Sequence, residues 1–495
     1  MNILIRADAG GNIGTGHVMR MLALAQACMR RGLHVTLASV DCPAVLARRV
    51  ASLGIDIQQI HAEKIGSHED AKSTLAAAKE LNCQWIITDG YHFDYEYQVR
   101  IKQSGRSLLC LDDYKYTERW HCDALLNQNL DAEKTQSYSS EAHHAQLLLG
   151  AHYCLLREEF LKHTNTRKEW KKIERLLITL GGSDPENATE ATLQLVDSIP
   201  LGRQLHIRVI AGADNPHLNR LRAFSGRHHI ETLTNVLNMP EQYDWADAII
   251  SAGGSTCWEW LHRGLPGAIV TIADNQLPIV KALTKERKAA LPLGWFQQFD
   301  FKKHGSHLAT WLENPNNLIN QAEVRSIIDG NGADRIAGFL SGLPFMLRTA
   351  QAHDCGQYLQ WANDAMVRAN SFSSKIIDPA THRQWFQRRI ESPNACLLVA
   401  CSFENDPIGQ VRFEFDSDTN CWTIGVSIDA HYRSKGLGRT LMLEALRWMR
   451  LHHGDDLTIR AEVINTNTAS VRLFEASGFT TASTGKEYTT YSINP

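Results

Sequence analysis

The chain has 495 residues, a length typical of about three domains, and its 43% hydrophobic and 21% charged residues exclude a disordered or fibrous protein. Its 51 lysines and arginines nearly balance 54 aspartates and glutamates, which leaves a net charge of -3 without a block of like charge. Nucleic acid and membrane surfaces are therefore not expected as partners.

The N-terminal residues lack the basic region, apolar stretch and cleavage site of a secretory signal. No apolar run reaches the roughly 20 residues that cross a bilayer. The eleven cysteines are scattered without a Cys-x-x-Cys pair, a pattern typical of reduced thiols in a core. Adjacent histidines at 143–144 and 452–453 do not share a helix face. We therefore expect a cytoplasmic protein with no metal site.

Short β-rich runs alternate with amphipathic helical segments over residues 1–155. Strands are predicted at residues 3–5, 35–37, 85–88 and 108–111, and the first helix at residues 18–31. Strands that alternate with helices predict a doubly wound parallel sheet, so this region is expected to be a Rossmann-like domain.

A glycine-rich loop joins the first predicted strand to the first helix and brings His17 to the first helical turn. The loop fits neither the dinucleotide pattern Gly-x-Gly-x-x-Gly nor a P-loop. Gly14 and Gly16 would instead let a ligand approach the backbone closely. The helix dipole disfavours a charged imidazole there, which suits a general base. A histidine that only satisfies local hydrogen bonds is the alternative interpretation.

Acidic residues follow two later predicted strands, at Asp89 and at Asp112 and Asp113. The carboxyl ends of parallel strands are where open α/β sheets place ligands. These carboxylates would orient His17 or bind sugar hydroxyls, and helix caps or turn residues are the alternative.

The same alternation restarts after a charged segment and predicts a second Rossmann-like domain over residues 156–340. Its strands are expected at residues 175–180, 206–210, 248–250 and 266–270. Two such domains in tandem predict two facing sheets with a ligand cleft between them, the GT-B arrangement.

The turn after the third of these strands is the predicted phosphate site. Backbone N–H groups at Gly253 and Gly254, with the hydroxyls of Ser255 and Thr256, would hold a diphosphate at the start of a helix. Glu259 lies one turn further on, where it would take ribose hydroxyls. An ordinary capped helix is the alternative.

Two neighbouring strand ends add to this predicted nucleotide-sugar site. Gly182 and Ser183 form a second glycine turn on the same edge of the sheet, and Asn275 and Gln276 offer uncharged groups for the sugar.

A third domain of α+β character is expected over residues 346–495. Its predicted strands are longer and are expected to be antiparallel, at residues 397–400, 409–415 and 422–428. A helix is expected at residues 440–452. A glycine-rich turn before this helix would wrap a pyrophosphate with its N–H groups and basic side chains. The residues of this turn are Arg433, Ser434, Lys435, Gly436, Leu437, Gly438 and Arg439.

Motifs in the first two-thirds of the chain resemble known families. Residues 235–259, with the run Gly253 to Thr256, resemble the nucleotide-binding half of MurG-type GT-B proteins. Residues 6–20, 153–160 and 181–184 resemble the UDP-2,4-diacetamido-2,4,6-trideoxy-β-L-altropyranose hydrolases of pseudaminic acid biosynthesis. This resemblance implies a metal-independent hydrolase with His17 as catalytic base and UDP held mainly by the second domain.

The residues fit that chemistry. UDP is a good leaving group, so its expulsion needs charge stabilisation and one base that activates water. The paired carboxylates of ordinary glycosidases are not required. Direct displacement by water would invert the anomeric centre.

The third domain resembles the GNAT N-acetyltransferase superfamily, through its glycine-rich turn and the segment from Asn467 and Ser470 to residue 479. The resemblance implies that acetyl-CoA is the co-substrate, bound by that turn, by Asn467 and Ser470, and by the strand that holds Val426 and Ile428. The backbone of this strand would bind pantetheine and polarise the thioester carbonyl.

One position departs from the GNAT pattern. Phe474 stands where many members have a tyrosine that protonates the leaving thiolate. Tyr432, Tyr488, Tyr491 or solvent would have to replace it, so the acid is unassigned.

The acceptor side is expected in residues 361–372, together with His382 and Trp385. This segment resembles the nucleotide-amino-sugar acetyltransferase of the same pathway, which acts one step before the hydrolase. Core packing is the alternative for each aromatic residue.

We therefore predict a bifunctional enzyme of pseudaminic acid biosynthesis. It would acetylate the 4-amino group of UDP-4-amino-4,6-dideoxy-N-acetyl-altrosamine and then hydrolyse UDP from the diacetamido product. One alternative is a GT-B glycosyltransferase that uses an acceptor other than water. In another, the C-terminal domain is an acetyl-CoA sensor or a protein acetyltransferase.

Overall fold

The computed structural model describes residues 1–10, 13, 15–130, 132, 138, 141–142, 144–161, 170–182, 184–212, 215–234, 236 and 238–494. Gly14 and Ser183 of the predicted sites lie outside the described residues, as do Gly11 and Asn12 of the glycine loop and His143. The chain forms two compact units, Met1–Ala337 and Gly338–Pro495.

The first unit contains two parallel sheets, of which the first is formed by the N-terminal strands. These strands are β1 (Asn2–Ala7), β2 (His34–Ser39), β3 (Asp56–Gln59), β4 (Cys83–Asp89), β5 (Ser107–Leu111), β6 (Ala124–Asn127) and β7 (Gln146–Leu149). They lie in the order β3-β2-β1-β4-β5-β6-β7, and every described pair is parallel. The predicted doubly wound sheet is thus confirmed.

Four helices of this region are α1 (Gly16–Arg30), α2 (Ala44–Ser52), α3 (His68–Glu80) and α4 (Tyr95–Lys102). Helix α1 buries Val18, Met21, Leu22 and Ala25, which recur at helical spacing and so face the sheet. It begins two residues before the predicted start, which includes His17 in its first turn.

The second sheet follows the same pattern. Its strands are β8 (Arg175–Thr179), β9 (His206–Ala211), β10 (His229–Thr234), β11 (Ala248–Ala252), β12 (Gly267–Thr271) and β13 (Ala290–Trp295). They lie in the order β10-β9-β8-β11-β12-β13 and are parallel throughout. Strands β10 and β13 were not predicted from the sequence, because neither sequence is a continuous apolar run like that of β11.

The helices of this second half pack on a core that contains Trp258, Trp260 and Trp311. They are α5 (Glu158–Leu161), α6 (Ala188–Asp197), α7 (Leu218–Ala223), α8 (Met239–Trp245), α9 (Thr256–His262), α10 (Leu277–Lys281), α11 (Phe301–Glu313) and α12 (Gln321–Ile327). A further helix, α13 (Gly332–Leu340), follows them. A π-helical turn, Ala282–Glu286, directly follows α10.

The second compact unit is a mixed, mainly antiparallel sheet with helices. Its strands are β14 (Met346–Thr349), β15 (Ala395–Cys401), β16 (Pro407–Asp416), β17 (Cys421–Ile428), β18 (Ile459–Ile464), β19 (Thr480–Thr484) and β20 (Tyr488–Ile493). Their order is β14-β15-β16-β17-β18-β20-β19. Strands β17 and β18 form the parallel pair, and the other described pairs are antiparallel.

The described helices of this unit are α14 (Cys355–Ala362), α15 (Ala365–Ala369), α16 (Pro379–Ile390), α17 (Leu437–His453) and α18 (Thr468–Ala476). Leu441 and Met442 of α17 belong to the same hydrophobic core as Trp422 and Ile424 of β17. The α+β prediction for this region is confirmed. Across the described helices of both units, none has the length and apolar character that would let it span a membrane.

Candidate functional site

His17 and Asp89 form the centre of the site in the first unit. Asp89 ends β4, in register with Ala7 at the end of β1, and His17 lies just beyond that edge on α1. The His17 Nδ1 atom lies 2.7 Å from Asp89 Oδ1. Because an ionised carboxylate only accepts hydrogen bonds, Nδ1 carries the proton and Nε2 keeps a lone pair. A neutral His17 therefore offers Nε2 as a base.

Arg20, one turn after His17, clamps the supporting carboxylates. Its Nε and Nη2 atoms each lie 2.5 Å from an Asp89 oxygen, and its Nη1 lies 2.8 Å and 3.0 Å from the two oxygens of Asp113. Arg20 Nη2 also lies 3.3 Å from His17 Nδ1, but a guanidinium only donates, so the proton on Nδ1 points to Asp89. The Tyr91 hydroxyl donates to Asp113 at 2.7 Å.

The charges around Asp89 keep it ionised. Burial alone raises the pKa of Asp89, but the neighbouring charges of Arg20 and His17 outweigh it and hold this pKa below its usual value. Asp89 and Asp113 carry two negative charges against the single positive charge of Arg20. A proton accepted by His17 would neutralise the cluster.

The three predicted acids have different roles. Asp89 orients His17, and Asp113 anchors Arg20. Asp112 instead stabilises a turn, because its carboxylate accepts the backbone N–H of Lys115 at 2.8 Å and 2.9 Å. One predicted acid, Asp89, thus orients His17 as expected, whereas Asp112 is a turn residue, which was the alternative interpretation.

A cavity of about 200 Å³ lies beside His17. It is lined by residues on loops and helices that follow strands of both sheets. The structure brings together these predicted residues at the cavity: Gly16, His17, Gly253, Gly254, Ser255, Asn275 and Gln276. Such a cleft, with His17 beyond the edge of one sheet and the glycine turn beyond the edge of the other, fits the cleft that two tandem domains predicted.

The glycine turn follows β11 and is shaped by two different glycines. A Cβ on Gly253 would lie 2.7 Å from Val280 Cγ2, so no larger residue fits, whereas Gly254 faces open space. Among the described residues, no acceptor binds the backbone N–H groups of Gly254, Ser255 and Thr256. These donors are available to an anion.

Gln276 and Gly182 make contacts within the protein. The Gln276 Oε1 atom accepts the N–H of Gly253 at 3.3 Å and of Ile272 at 3.1 Å, so this side chain braces the turn. Gly182 is not among the lining residues of the cavity, and its carbonyl accepts the N–H of Gly212 at 3.0 Å.

Glu259 lies one turn into α9 and is likewise outside the cavity lining. Its Oε1 accepts from Arg157 Nη2 at 3.1 Å, and its Oε2 accepts from the Tyr243 hydroxyl at 2.8 Å. A carboxylate has about four acceptor positions, and these two donors occupy two of them.

Sequence reasoning did not select several lining residues, notably Arg20, Tyr91, Tyr114, Gln128 and Trp258. Arg20 lies at helical spacing from His17, Tyr91 is the second residue after β4, and Gln128 is the first residue after β6. Position at the carboxyl edge of the sheet was the signal that would have found them.

In the second unit, β17 and β18 separate along their length. They pair only at Trp422 with Ile459 and at Thr423 with Arg460. From Ile424 to Ile428 the described register pairs β17 with β16 alone. The backbone at Val426 and Ile428 therefore has an open side on which an extended ligand would bind.

The glycine-rich turn follows this open strand. Ser434 and Gly436 both have left-handed backbone angles, with φ of 62° and 76°, and Gly436 is the N-cap of α17. Gly438 brings α17 close to α18, because a Cβ there would lie 3.5 Å from Leu473. Leu437 is the first residue of α17.

The two arginines of this turn make contacts within the unit. Arg433 pairs with Asp364 at 2.9 Å and donates to the Ile428 carbonyl at 2.9 Å. Arg439 donates to the Ala476 carbonyl at 2.9 Å. In the structure, their guanidinium groups thus brace the turn.

Residues of α18 and its surroundings have structural contacts as well. The Asn467 side chain caps α18 by accepting the N–H of Ser470 at 3.1 Å. Phe474 is buried against Phe479, and the Tyr491 ring stacks on it at 6.2 Å. Of the candidate acids, Tyr491 is therefore a direct neighbour of Phe474.

The remaining candidates lie in other surroundings. Tyr488 packs against Phe372 at the surface, and Tyr432 lies under Lys435. His382 is buried against the rings of Trp385 and Phe386, which favours core packing for this histidine.

The described residues of both units contain no group of three or more histidine, cysteine, aspartate or glutamate side chains that could hold a metal ion.

Comparison with known proteins supports these two architectures. Residues 358–479 match the acetyltransferase (GNAT) family, and residues 176–287 match the glycosyltransferase family 28 C-terminal domain. The chain therefore joins a GT-B unit with two Rossmann-like sheets to a GNAT acetyltransferase domain, as the sequence motifs indicated.

Three relatives are similar to parts or all of the chain. An uncharacterised protein of Methanocaldococcus jannaschii is 22% identical over 98% of both chains. The UDP-2,4-diacetamido-2,4,6-trideoxy-β-L-altropyranose hydrolase of Campylobacter jejuni is 26% identical over 46% of this chain and 76% of its own. The spore coat polysaccharide biosynthesis protein SpsG of Bacillus subtilis is 22% identical over 69% of this chain and 98% of its own.

Solved structures show similar chains. MurG of Acinetobacter baumannii is 16% identical, with a TM-score of 0.49, over 69% of this chain and 99% of that one. A putative acetyltransferase of Salmonella typhimurium, solved with acetyl-CoA, is 21% identical over 30% of this chain and 92% of that one, with a TM-score of 0.27.

Proposed function

We propose that the protein is a bifunctional enzyme that acetylates a UDP-linked amino sugar and then hydrolyses off UDP. The observation that carries the hydrolase is the Asp89–His17 pair, which faces the glycine turn of Gly254 and Ser255 across one cavity. In this proposal residues 1–155 supply the base, residues 156–340 bind UDP and residues 346–495 transfer the acetyl group.

In the hydrolytic step, His17 Nε2 takes a proton from water as the water oxygen attacks the anomeric carbon. The bond between that carbon and the diphosphate oxygen breaks, and UDP leaves as an anion. Asp89 stabilises the imidazolium that forms, while the N–H groups of Gly254, Ser255 and Thr256 stabilise the leaving diphosphate. Attack opposite to the leaving group inverts the anomeric centre.

In the acetylation step, acetyl-CoA supplies the acetyl group. The open side of β17 at Val426 and Ile428 binds the extended pantetheine by backbone hydrogen bonds. The turn around Ser434 and Gly436 directs N–H groups at the pyrophosphate. The match to the GNAT family supports this assignment.

The substrate is proposed from the motifs and from the Campylobacter jejuni relative. It is UDP-4-amino-4,6-dideoxy-N-acetyl-altrosamine, which is acetylated to UDP-2,4-diacetamido-2,4,6-trideoxy-β-L-altropyranose and then hydrolysed, in the cytoplasm. Such a nucleotide sugar has the diphosphate, ribose and acetamido groups that the site is proposed to bind.

The test is to incubate the whole protein with the UDP-linked 4-amino sugar and acetyl-CoA and to follow the products by NMR. We expect free UDP and free diacetamido sugar without any added acceptor. A strict requirement for an acceptor alcohol would instead indicate a glycosyltransferase. Acetylation of lysine peptides, but not of the amino sugar, would indicate a protein acetyltransferase.

A further inference from the structure

The segment Arg157-Glu158-Glu159, at the start of α5, connects the two sheets of the first unit through ion pairs. Arg157 Nη1 lies 2.6 Å from Glu159 Oε1, and its Nη2 lies 3.1 Å from Glu259 Oε1. The Arg157 side chain is only 8% exposed. The Arg157 guanidinium thus bridges the carboxylate of Glu159 and the carboxylate of Glu259 on α9.

The second oxygen of Glu259 is held independently. The hydroxyl of Tyr243, a fully buried residue, donates to Glu259 Oε2 at 2.8 Å. Burial and the charge of Glu259 raise the pKa of Tyr243, so the hydroxyl stays protonated and remains a donor. With one fixed donor on each oxygen, the carboxylate cannot rotate freely, and its other acceptor positions have a defined direction.

The ion pairs continue to the first sheet. Arg49, on α2, lies 3.1 Å from the same Glu159 Oε1 atom that Arg157 contacts. The series Arg49–Glu159–Arg157–Glu259 therefore alternates in charge and runs from a helix of the first sheet to a helix of the second.

We propose that Arg157, Glu159 and Arg49 are positioning residues that hold the Glu259 carboxylate in the orientation that binds the nucleotide ribose. This rests on the proposed function, in which Glu259 takes the ribose hydroxyls. Through Arg49, binding of the nucleotide by the second sheet is coupled to the sheet that carries His17.

The chain offers a matched control in the neighbouring ion pair. Glu158 pairs with Arg30 of α1 at 3.2 Å, and both side chains are about as exposed as those of Glu159 and Arg49. This pair also connects α5 to a helix of the first sheet, but through Glu158, whereas Arg157 contacts the carboxylate of Glu159. A general loss of contact between α5 and the first sheet would affect both pairs equally.

The experiment measures the Kd of UDP for the full-length chain by calorimetry. Arg157→Met removes a charged hydrogen bond from Glu259 and should weaken binding roughly 10- to 100-fold. Arg49→Met and Glu159→Gln should weaken it about 2- to 5-fold, as expected for partly exposed pairs. Arg30→Met and Glu158→Gln should leave the Kd unchanged.

Steady-state kinetics provide the second readout. The KM for the UDP-sugar should rise in parallel with the Kd while kcat is retained, because Glu259 binds ground and transition states equally. If Arg157→Met does not fold, Arg157→Lys replaces it, since lysine keeps the charge but cannot reach both carboxylates with a planar fork.

The outcomes separate this inference from the proposed function. Glu259→Ala with an unchanged Kd would remove the ribose role of Glu259 and thus that part of the proposed function. Two results would overturn the coupling even if Glu259→Ala weakens UDP binding. One is an unchanged Kd of UDP in Arg49→Met, and the other is an equal change of this Kd in Arg49→Met and Arg30→Met.

Discussion

At the scale of single residues, the proton on His17 decides what the site can do. Asp89 binds Nδ1 at 2.7 Å and leaves Nε2 as the basic atom beside the cavity. A buried carboxylate alone would be costly, and Arg20 offsets this cost with two hydrogen bonds to Asp89. Asp89 therefore fixes the orientation of the His17 imidazole.

The first prediction concerns this base. His17→Asn should lower UDP release by about 10² to 10⁴, the usual contribution of a general base. Acetyl transfer should be unchanged, because His17 belongs to the other compact unit. Both activities are measured on the same preparation, as free UDP and as thiol release from acetyl-CoA.

His34→Asn is the matched control, because His34 is an exposed residue at the start of β2 in the same sheet. It should retain both activities. A decrease of only a few fold in His17→Asn would remove this residue from the role of base.

At the scale of elements, the connection from β11 to α9 combines two glycines with different constraints. Gly253 is packed against Val280 of α10, and Gly254 borders the space in front of the unbound N–H groups. The turn therefore depends on Gly253 for its packing, and a diphosphate would depend on Gly254 for its approach.

The second prediction separates these constraints. Gly253→Ala should lower the free energy of unfolding by about 1 to 3 kcal/mol, since its Cβ overlaps Val280 and Gln276. Gly254→Ala should unfold as the wild type does but raise the KM for the UDP-sugar about tenfold, or about 1.4 kcal/mol. Thermal unfolding and initial rates are the measurements. A wild-type KM in Gly254→Ala would place the diphosphate elsewhere.

The two ends of α17 also depend on glycines with positive φ. Gly436 begins the helix with φ of 76°, and Gly454 ends it with φ of 88°. A Cβ at either position would meet no atom within 4 Å, so the cost of alanine is purely conformational.

The third prediction uses this pair. Alanine at either position should lower the free energy of unfolding by about 1 to 2 kcal/mol. Only Gly436→Ala should also raise the KM for acetyl-CoA, about 5- to 30-fold, because a relaxed turn points its N–H groups away from the pyrophosphate. Equal KM values in the two variants would contradict the proposed pyrophosphate site.

At the scale of the whole molecule, the proposed base and the proposed phosphate donors of the first unit follow strands of different sheets. His17 follows β1, whereas Gly254 and Ser255 follow β11, and the cavity takes lining from both. Water activated by His17 would therefore approach the sugar from the side opposite the diphosphate.

The fourth prediction follows from this arrangement. Hydrolysis in ¹⁸O-labelled water should place the label in the released sugar and leave UDP unlabelled, which mass spectrometry of both products will show. Water activated from the first sheet meets the anomeric carbon before a phosphorus atom. Label in UDP, or formation of UMP and a sugar phosphate, would contradict the mechanism.

The amino-acid sequence by itself determined the succession of domains and the positions of the main motifs. Buried parallel strands such as β11 are continuous apolar runs, and the glycine turns that follow them are equally local. For this reason the Rossmann-like pattern, the α+β character of the C-terminal region and the placement of His17 at a helix start could be predicted, whereas the GNAT assignment rested on the resemblance of its motifs to that superfamily. These features depend on neighbours in the chain.

Only the tertiary structure decided which side chains are partners. Arg20 and Asp113 are 93 residues apart, and Arg157 and Glu259 are 102 apart. Their contacts depend on strand order and on the direction of each helix, which no local pattern records. The same reason explains why Gly182 lies outside the cavity lining and why Arg433 is paired with Asp364. A charge or a glycine can be read from the sequence, but its partner is set by packing between distant elements.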